Sequence, residues 1–400
     1  MIGNAFLLAI REIRNNLMRS ALTTLGIMIG VGAVIAMVTL GEGATQSVTA
    51  GIASMGRNLL IVSPGQRRPG QMTAAAPFQI ADVEAIKREV ASLAAVAPAV
   101  TRSAVVVYGN HNRTTQVTGT SNDFFLARDW AVSLGRPFNA AEDRSGRPVC
   151  VLGETVRTDM FGGQDPLGER VRIGKVSCDV IGVLASKGQS TFGSDQDDVV
   201  IMPLRAVQRR IAGNTDVSMI WLSTLSAEET ARTKNDVTTL LRERRRIAPG
   251  APDDFQVNDM QEVARTIQST TAILTAFLSS IAAVSLLVGG IGIMNVMLVS
   301  VTERTREIGI RLAIGARERD VLLQFLIEAI VISAFGGIIG ITIGLAGSAA
   351  ASAALSFPFV FRPSIVVIAV IFSAGVGVAF GYFPARRAAR LDPIEALRHE

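Results

Sequence analysis

The segment from Thr302 to Asp320, TERTREIGIRLAIGARERD, packs nine charges between two long runs that carry almost none. Five are Arg (Arg304, Arg306, Arg311, Arg317, Arg319) and four are acidic (Glu303, Glu307, Glu318, Asp320), so the net charge is small and the pattern matters more than the sign. Such a helix-prone, mixed-charge segment offers docking chemistry rather than bond making. Glu307 and Arg311 stand at i, i+4 and can pair to stabilise a helix, while Ile308 and Leu312 supply an apolar stripe for a protein surface.

Groupings that could catalyse a reaction are missing. The two histidines, His111 and His399, fall on opposite sides of a membrane in the topology argued below, so no His-based triad or metal site assembles within one chain. Asp195, Asp197 and Asp198 read as a solvated loop leading into the strand VVIM, because a calcium site needs more oxygen ligands in a defined loop. GERVRIGKV imitates a phosphate-binding loop, but it has one residue too many between its glycines and Val176 where Ser or Thr should bind magnesium. The two cysteines, Cys150 and Cys178, leave two readings open: a disulfide in an oxidising compartment, or separate buried thiols on apolar strands.

The elements that position the charged segment are membrane spans. A length of 400 residues with 49% hydrophobic content and a mean hydropathy of +0.38 fits a polytopic membrane protein with a sizeable aqueous part. No charge occurs from Ala21 to Gly41, Ser269 to Thr302, Ala329 to Phe361 or Pro363 to Ala385. Each run reaches the roughly 20 residues a helix needs to cross the hydrocarbon core, so four transmembrane helices are expected. Arginines gather in the N-terminal arm, the charged linker and the tail, whereas Arg362 stands alone between the third and fourth spans. Both termini and the linker are therefore expected in the cytoplasm, with a large domain outside. That topology also accounts for the pI of about 9.7, so no nucleic-acid partner is inferred.

Small residues recur every four positions at Gly26 and Gly30, at Gly336, Gly340 and Gly344, and at Gly377 and Gly381. This spacing lets helix backbones approach closely in lipid; the alternative is the general abundance of Gly in membrane helices. The spans lack ionisable residues that could line a route, apart from Glu328 near the inner boundary, which reads as an interfacial carboxylate paired with a nearby Arg. They look like moving rods. The second span, with helix-compatible sequence before it, exceeds bilayer thickness and suggests a stalk, or else a tilted helix.

The expected organisation is an amphipathic cytoplasmic helix over 1–20, the first span and stalk over 21–56, and a membrane-proximal α+β lobe from 57–121 and 215–260. A β-rich lobe is inserted at 122–214. The second stalk and span follow at 261–301, then the linker at 302–320, spans at 321–350 and 363–385, and a tail at 386–400. The stretch from Gln66 to Pro77 reads as a Gly/Pro/Ala-rich loop.

Four stretches carry a resemblance: NNLMRSALTTLGIMIGVGAVI, VGGIGIMNVMLVSVTERTREIGIRLAIGA, QFLIEA and GYFPARRAARLDPIEALRHE. With PVCVLGETV and CDVIGVLASKG in the middle, the chain resembles the permease subunits of MacB/FtsX-type ABC transporters over essentially its whole length. The resemblance implies a dimeric, four-span subunit of the bacterial inner membrane with a two-lobed periplasmic domain. It implies that the linker is a coupling helix on an ATPase, with Glu303, Arg304, Arg306, Glu307, Gly309, Arg311, Gly315 and Ala316 as the contact. MacB carries its ATPase ahead of the first span, whereas this sequence begins with a short basic arm, so a separate ATPase chain using ATP and Mg is expected and no cofactor on this chain. A periplasmic adaptor and an outer-membrane duct would be further partners. Export of periplasmic substrate by mechanotransmission is the implied function; lipoprotein extraction and FtsX-like signalling to a cell-wall hydrolase are the alternatives within the resemblance.

Overall fold

The computed structural model describes residues 17–56, 58–65, 76–190, 194–355 and 357–398, with side chains at 17–23 and 397–398 outside that description. Most of the expected N-terminal amphipathic helix and of the loop from Gln66 to Pro77 lies outside the described residues. The chain divides into two units, residues 1–47 with 268–400, and residues 48–267.

In chain order the elements are α1 (Leu17–Met55), β1 (Leu59–Pro64), α2 (Ile80–Glu89), β2 (Leu93–Tyr108), β3 (His111–Thr120), α3 (Asp123–Ala127), β4 (Val132–Gly135) and α4 (Ala140–Ser145). Then come β5 (Val149–Leu152), α5 (Glu154–Phe161), β6 (Arg170–Ile173), β7 (Val176–Leu184), β8 (Val199–Pro203), α6 (Leu204–Val207), β9 (Met219–Thr224), α7 (Thr230–Arg244) and β10 (Phe255–Asp259). The chain closes with α8 (Met260–Glu303), α9 (Thr305–Ala313), α10 (Glu318–Leu355), α11 (Pro363–Ala389) and α12 (Pro393–Arg398).

Four of these helices, α1, α8, α10 and α11, are long and apolar enough to cross a membrane. Their contacts explain the glycine spacing. A Cβ on Gly26 would lie 2.7 Å from the Cα of Gly289 in α8, and one on Gly30 would lie 2.8 Å from the Leu286 side chain. Along α10, Gly336, Gly340 and Gly344 face α1, where added Cβ atoms would stand 3.3 Å from Thr24 Cβ, 2.8 Å from the Met28 carbonyl and 2.7 Å from the Gly32 carbonyl. Gly377 and Gly381 of α11 lie against Ala329 and Ser333 of α10. The small faces thus bring helices of one chain together. Backbone contact replaces the hydrophobic drive that lipid cannot supply. Two buried hydroxyls bond carbonyls: Ser373 of α11 donates across to the Ser333 carbonyl of α10 at 2.6 Å, and Ser348 to that of Gly344 one turn back at 2.8 Å.

The second unit is built on one ten-stranded sheet, in the order β10-β1-β9-β2-β3-β8-β5-β7-β4, with β6 pairing β2 and β7. Its β10-β1-β9 end packs on α2 and α7 through Leu60, Ile86, Val237, Leu241 and Phe255. The other end, with β3 to β8, has cores around Val117, Cys150, Met202 and Val207 and around Phe124, Trp130 and Ile201. The segments 57–121 with 215–260 and 122–214 therefore share a sheet, because β8 pairs β3 and β6 pairs β2. β2 runs through Pro98. Pro98 argues against a central strand, yet it sits opposite Ile220 in β9, and its carbonyl accepts a hydrogen bond from Thr120 Oγ1 at 2.7 Å.

Candidate coupling site

The charged linker is a short helix held between long ones. α8 stops at Glu303 and α9 begins at Thr305, with Arg304 outside helical geometry (φ −106°, ψ 14°). Arg304 reaches Glu328 of α10 at 3.6 Å, and that carboxylate is only 5% exposed. One turn on, Glu307 and Arg311 pair at 2.5 Å, and Arg311 also donates to Gln324 of α10 at 3.0 Å. The helix ends in a Schellman cap: the Ala316 N–H bonds the Arg311 carbonyl at 3.0 Å, and the Gly315 N–H bonds that of Leu312 at 3.1 Å. Gly315 takes φ +102°, which a side chain would strain.

The apolar residues of α9 sort differently from the sequence expectation. Ile308 is 1% exposed within the bundle core, and Leu312 packs half-buried against the same core. They hold α9 to its own chain, so they do not form the docking stripe. Gly309 also faces inward, where an added Cβ would come within 2.6 Å of Ala396 Cβ in α12. The exposed apolar surface consists of Ile310 (45%), Ile314 (81%) and, from α12, Ile394 (75%). Glu303, Arg306 and Glu307 are exposed on α9 and at its approach, and Ala316 is half-buried. The contribution of α12 was missed by the sequence reading. Its signal was present in LDPIEA, with Pro at the first helical position and Asp392, whose carboxylate accepts the Ile394 N–H at 2.8 Å.

In the second unit the C-terminal end of α1 is a second built feature. Lys187 Nζ donates to the Ser54 carbonyl, in the last turn of α1, and to the Arg128 carbonyl at 2.7 Å. Gln196 Nε2 donates to Ser54 Oγ at 3.2 Å. Gly56 follows at φ +132°, where a Cβ would sit 2.5 Å from the Ala127 carbonyl, so only Gly fits. The Arg128 guanidinium lies 4.9 Å from the ring centres of both Trp130 and Trp221. Burial lowers its pKa to about 10. Burial, then the neighbouring Arg128, lowers that of Lys187 to about 8.

Of the three aspartates read as a solvated cluster, Asp197 is 3% exposed. It accepts from Ser186 Oγ at 2.5 Å and from the Lys187 and Gly188 N–H groups at 2.8 and 3.0 Å, fixing the loop that presents Lys187. Of the two readings left open for the cysteines, the structure has the separate buried thiols. Cys150 and Cys178 are free, buried thiols on the neighbouring strands β5 and β7. Cys150 stands opposite Val180 and its thiol is directed to the Asp179 carbonyl at 3.6 Å. Burial and the adjacent Cys150 push the Cys178 thiol well up.

Residues 20–240 match the MacB-like periplasmic core domain, and residues 279–393 match the FtsX-like permease C-terminal domain. The chain is 43% identical over 392 residues to the macrolide export ATP-binding/permease protein MacB of Azoarcus sp. (strain BH72), covering 98% of this chain and 59% of that protein. It is 43% identical over 403 residues to the protein of the same name from Rhodospirillum rubrum, covering 100% and 60%. This chain thus spans about three-fifths of the length of these curated relatives. Among solved structures, the periplasmic region of MacB from Actinobacillus actinomycetemcomitans aligns at a TM-score of 0.46 and 22% identity, covering 54% of this chain and 95% of that one.

Proposed function

Since this chain belongs to the MacB/FtsX-type ABC transporter permeases, we propose that it converts ATP hydrolysis by an ABC ATPase into movement of its periplasmic domain, expelling a drug, peptide or similar substrate from the periplasm. ATP and Mg are used by the ATPase, and this chain binds neither. Two copies of the permease work as a dimer in the inner membrane, with termini and linker cytoplasmic. A periplasmic adaptor and an outer-membrane duct complete the export route. The relatives' name as macrolide export proteins supports substrates of drug size.

One observation carries the reading. Among the described residues, the only acidic or basic side chain buried in the helical unit is Glu328, which reaches Arg304 at the linker boundary. A pore or ion-coupled carrier places ionisable groups along its route, so these spans suit rods that transmit force. Ile310, Ile314 and Ile394, rimmed by Arg306 and Glu307, form the surface on which the ATPase pushes. The helical ends within residues 48–267 receive the movement: α1 is capped by Lys187, and Gln261 in the first turn of α8 donates to Asn58 Oδ1 at 3.0 Å.

The test is purification of the chain from native membranes in mild detergent, followed by identification of its partners and by transport in vesicles. Recovery of an ATPase with a periplasmic adaptor supports export. Recovery of a second, different permease with an acylated protein, or of a cell-wall hydrolase, would replace export with lipoprotein extraction or signalling.

A further inference from the structure

A cleft of about 420 Å³ opens in the second unit between α2 and the chain around α3, α4 and α6. Its volume falls in the range of small-molecule sites, which favour boundaries between packed subdomains. Ile80, Val83, Glu84 and Lys87 line it from one face of α2, at i, i+3, i+4 and i+7. Val96, Pro98 and Leu204 extend the apolar part. No motif in the sequence pointed to this site, because its walls come from five separate segments.

The polar lining is unevenly satisfied. Each cation already bonds one acceptor of the protein: Lys87 pairs Asp123 at 2.9 Å, Arg205 donates to the Arg144 carbonyl at 2.7 Å, and Arg144 donates to that of Ala140 at 3.1 Å. Two of the three carboxylates have no ion-pair partner. Among the described residues Glu84 and Asp143 make no salt bridge, and the buried Ser121 Oγ and Asn122 Oδ1 have no hydrogen-bond partner. Burial holds the Asp143 carboxyl above the usual range, against the Asn122 backbone N–H that favours its charge. Carboxylates without a salt bridge beside an apolar floor suit a cationic ligand with an apolar body.

We propose that this cleft binds a small organic amine, its ammonium set between Asp143 and Glu84 and its apolar body against Ile80, Val83 and Leu204. Occupancy would fasten α2 to the segment 121–123 and to α4, so binding would stiffen the boundary between the two ends of the sheet. The proposal is independent of the export reading, since binding is measured with no ATPase present.

The experiment uses the full chain in lipid nanodiscs and 4-phenylbutylamine as probe, read by saturation-transfer NMR against empty nanodiscs, with 4-phenylbutanol and 4-phenylbutyrate as neutral and anionic counterparts. The amine should bind about tenfold more tightly than the alcohol, and Asp143→Asn should remove most of that preference. Glu84 is on the exposed side of α2, so Glu84→Gln leaves the fold intact and should weaken the amine by about threefold. Equal binding of amine and alcohol, preference for the carboxylate, or unchanged amine affinity in Glu84→Gln and in folded Asp143→Asn would each overturn the proposal.

Discussion

The two units bury polarity in opposite ways. In the helical unit, glycines bring backbones to within van der Waals contact, and among the described residues Glu328 alone is a buried carboxylate. In the sheet unit, Arg128 lies between two indoles, Glu142 is 4% exposed and Asp197 is 3% exposed, each with hydrogen-bonded neighbours. The difference follows from the solvent. Lipid offers no water to offset an imperfect polar contact, so close packing must carry the helices. A domain in water can bury a charge wherever enough donors or acceptors converge. Perturbing one unit should therefore act through volume, and perturbing the other through charge.

The largest effect is expected from Gly340→Leu. The Met28 carbonyl stands 2.8 Å from the position of a Cβ there, and Val31 Cβ stands at 3.2 Å, so α1 and α10 must separate. Overpacking of this kind costs about 3 kcal/mol or more. Thermal unfolding in detergent should report a large loss, and Gly340→Ala a smaller one. Stability unchanged in both would return this face to a lipid-exposed role and remove the volume side of the comparison.

On the charge side, Lys187→Met removes two donated hydrogen bonds, to Ser54 and Arg128, and should cost about 2 kcal/mol. Lys187→Arg should recover part of it. The titration of Lys187 has a definite sign. Its folded pKa of about 8 lies below the ordinary 10.5, so the folded state disfavours its charge, and that penalty is relieved as pH rises from about 8 to 10.5. In the wild type this group should add stability across that window, and Lys187→Met should lose the rise. A flat profile in the wild type would mean that the ammonium is solvated.

Glu142 gives a smaller effect in the acid range, where stability again rises with pH. Arg136 holds it by two bonds of 2.8 Å, and that pairing lowers its pKa from 4.5 to about 2. The stabilisation is complete above pH 4.5 and is lost as pH falls through about 2. With Arg136 half-exposed, about 1 kcal/mol is expected. Glu142→Gln should flatten the acid limb of the unfolding curve by that amount.

What the sequence made legible follows the same division. The spans stand out because lipid excludes charge over whole helices, and Gly spacing marks where backbones meet. Lys187, Arg128 and the cleft were hidden because their partners come from distant segments: Ser54, Trp130, Trp221 and Gln196 share no local pattern. Even in the linker, Ile308 and Leu312 looked like the docking stripe because an amphipathic helix has one apolar face. The sequence gives no sign that α12 and the bundle core occupy that face, leaving Ile310 and Ile314 outside.

The smallest stability effect belongs to Ile314→Asp, and it separates docking from folding most cleanly. Ile314 is 81% exposed and caps α9 just before Gly315, so replacing it exposes no cavity and strands no buried group. Surface changes of this type stay within about 0.5 kcal/mol. A partner surface that closes over Ile310, Ile314 and Ile394 would have to desolvate the new carboxylate, so association with the ATPase should fall by tenfold or more. Ile308→Asp should do the reverse, collapsing the bundle end because Ile308 is 1% exposed. If Ile314→Asp and Ile394→Asp bind the ATPase as the wild type does while export continues, the force enters elsewhere on the linker, and the exposed charges Glu303 and Arg306 become the next pair to exchange.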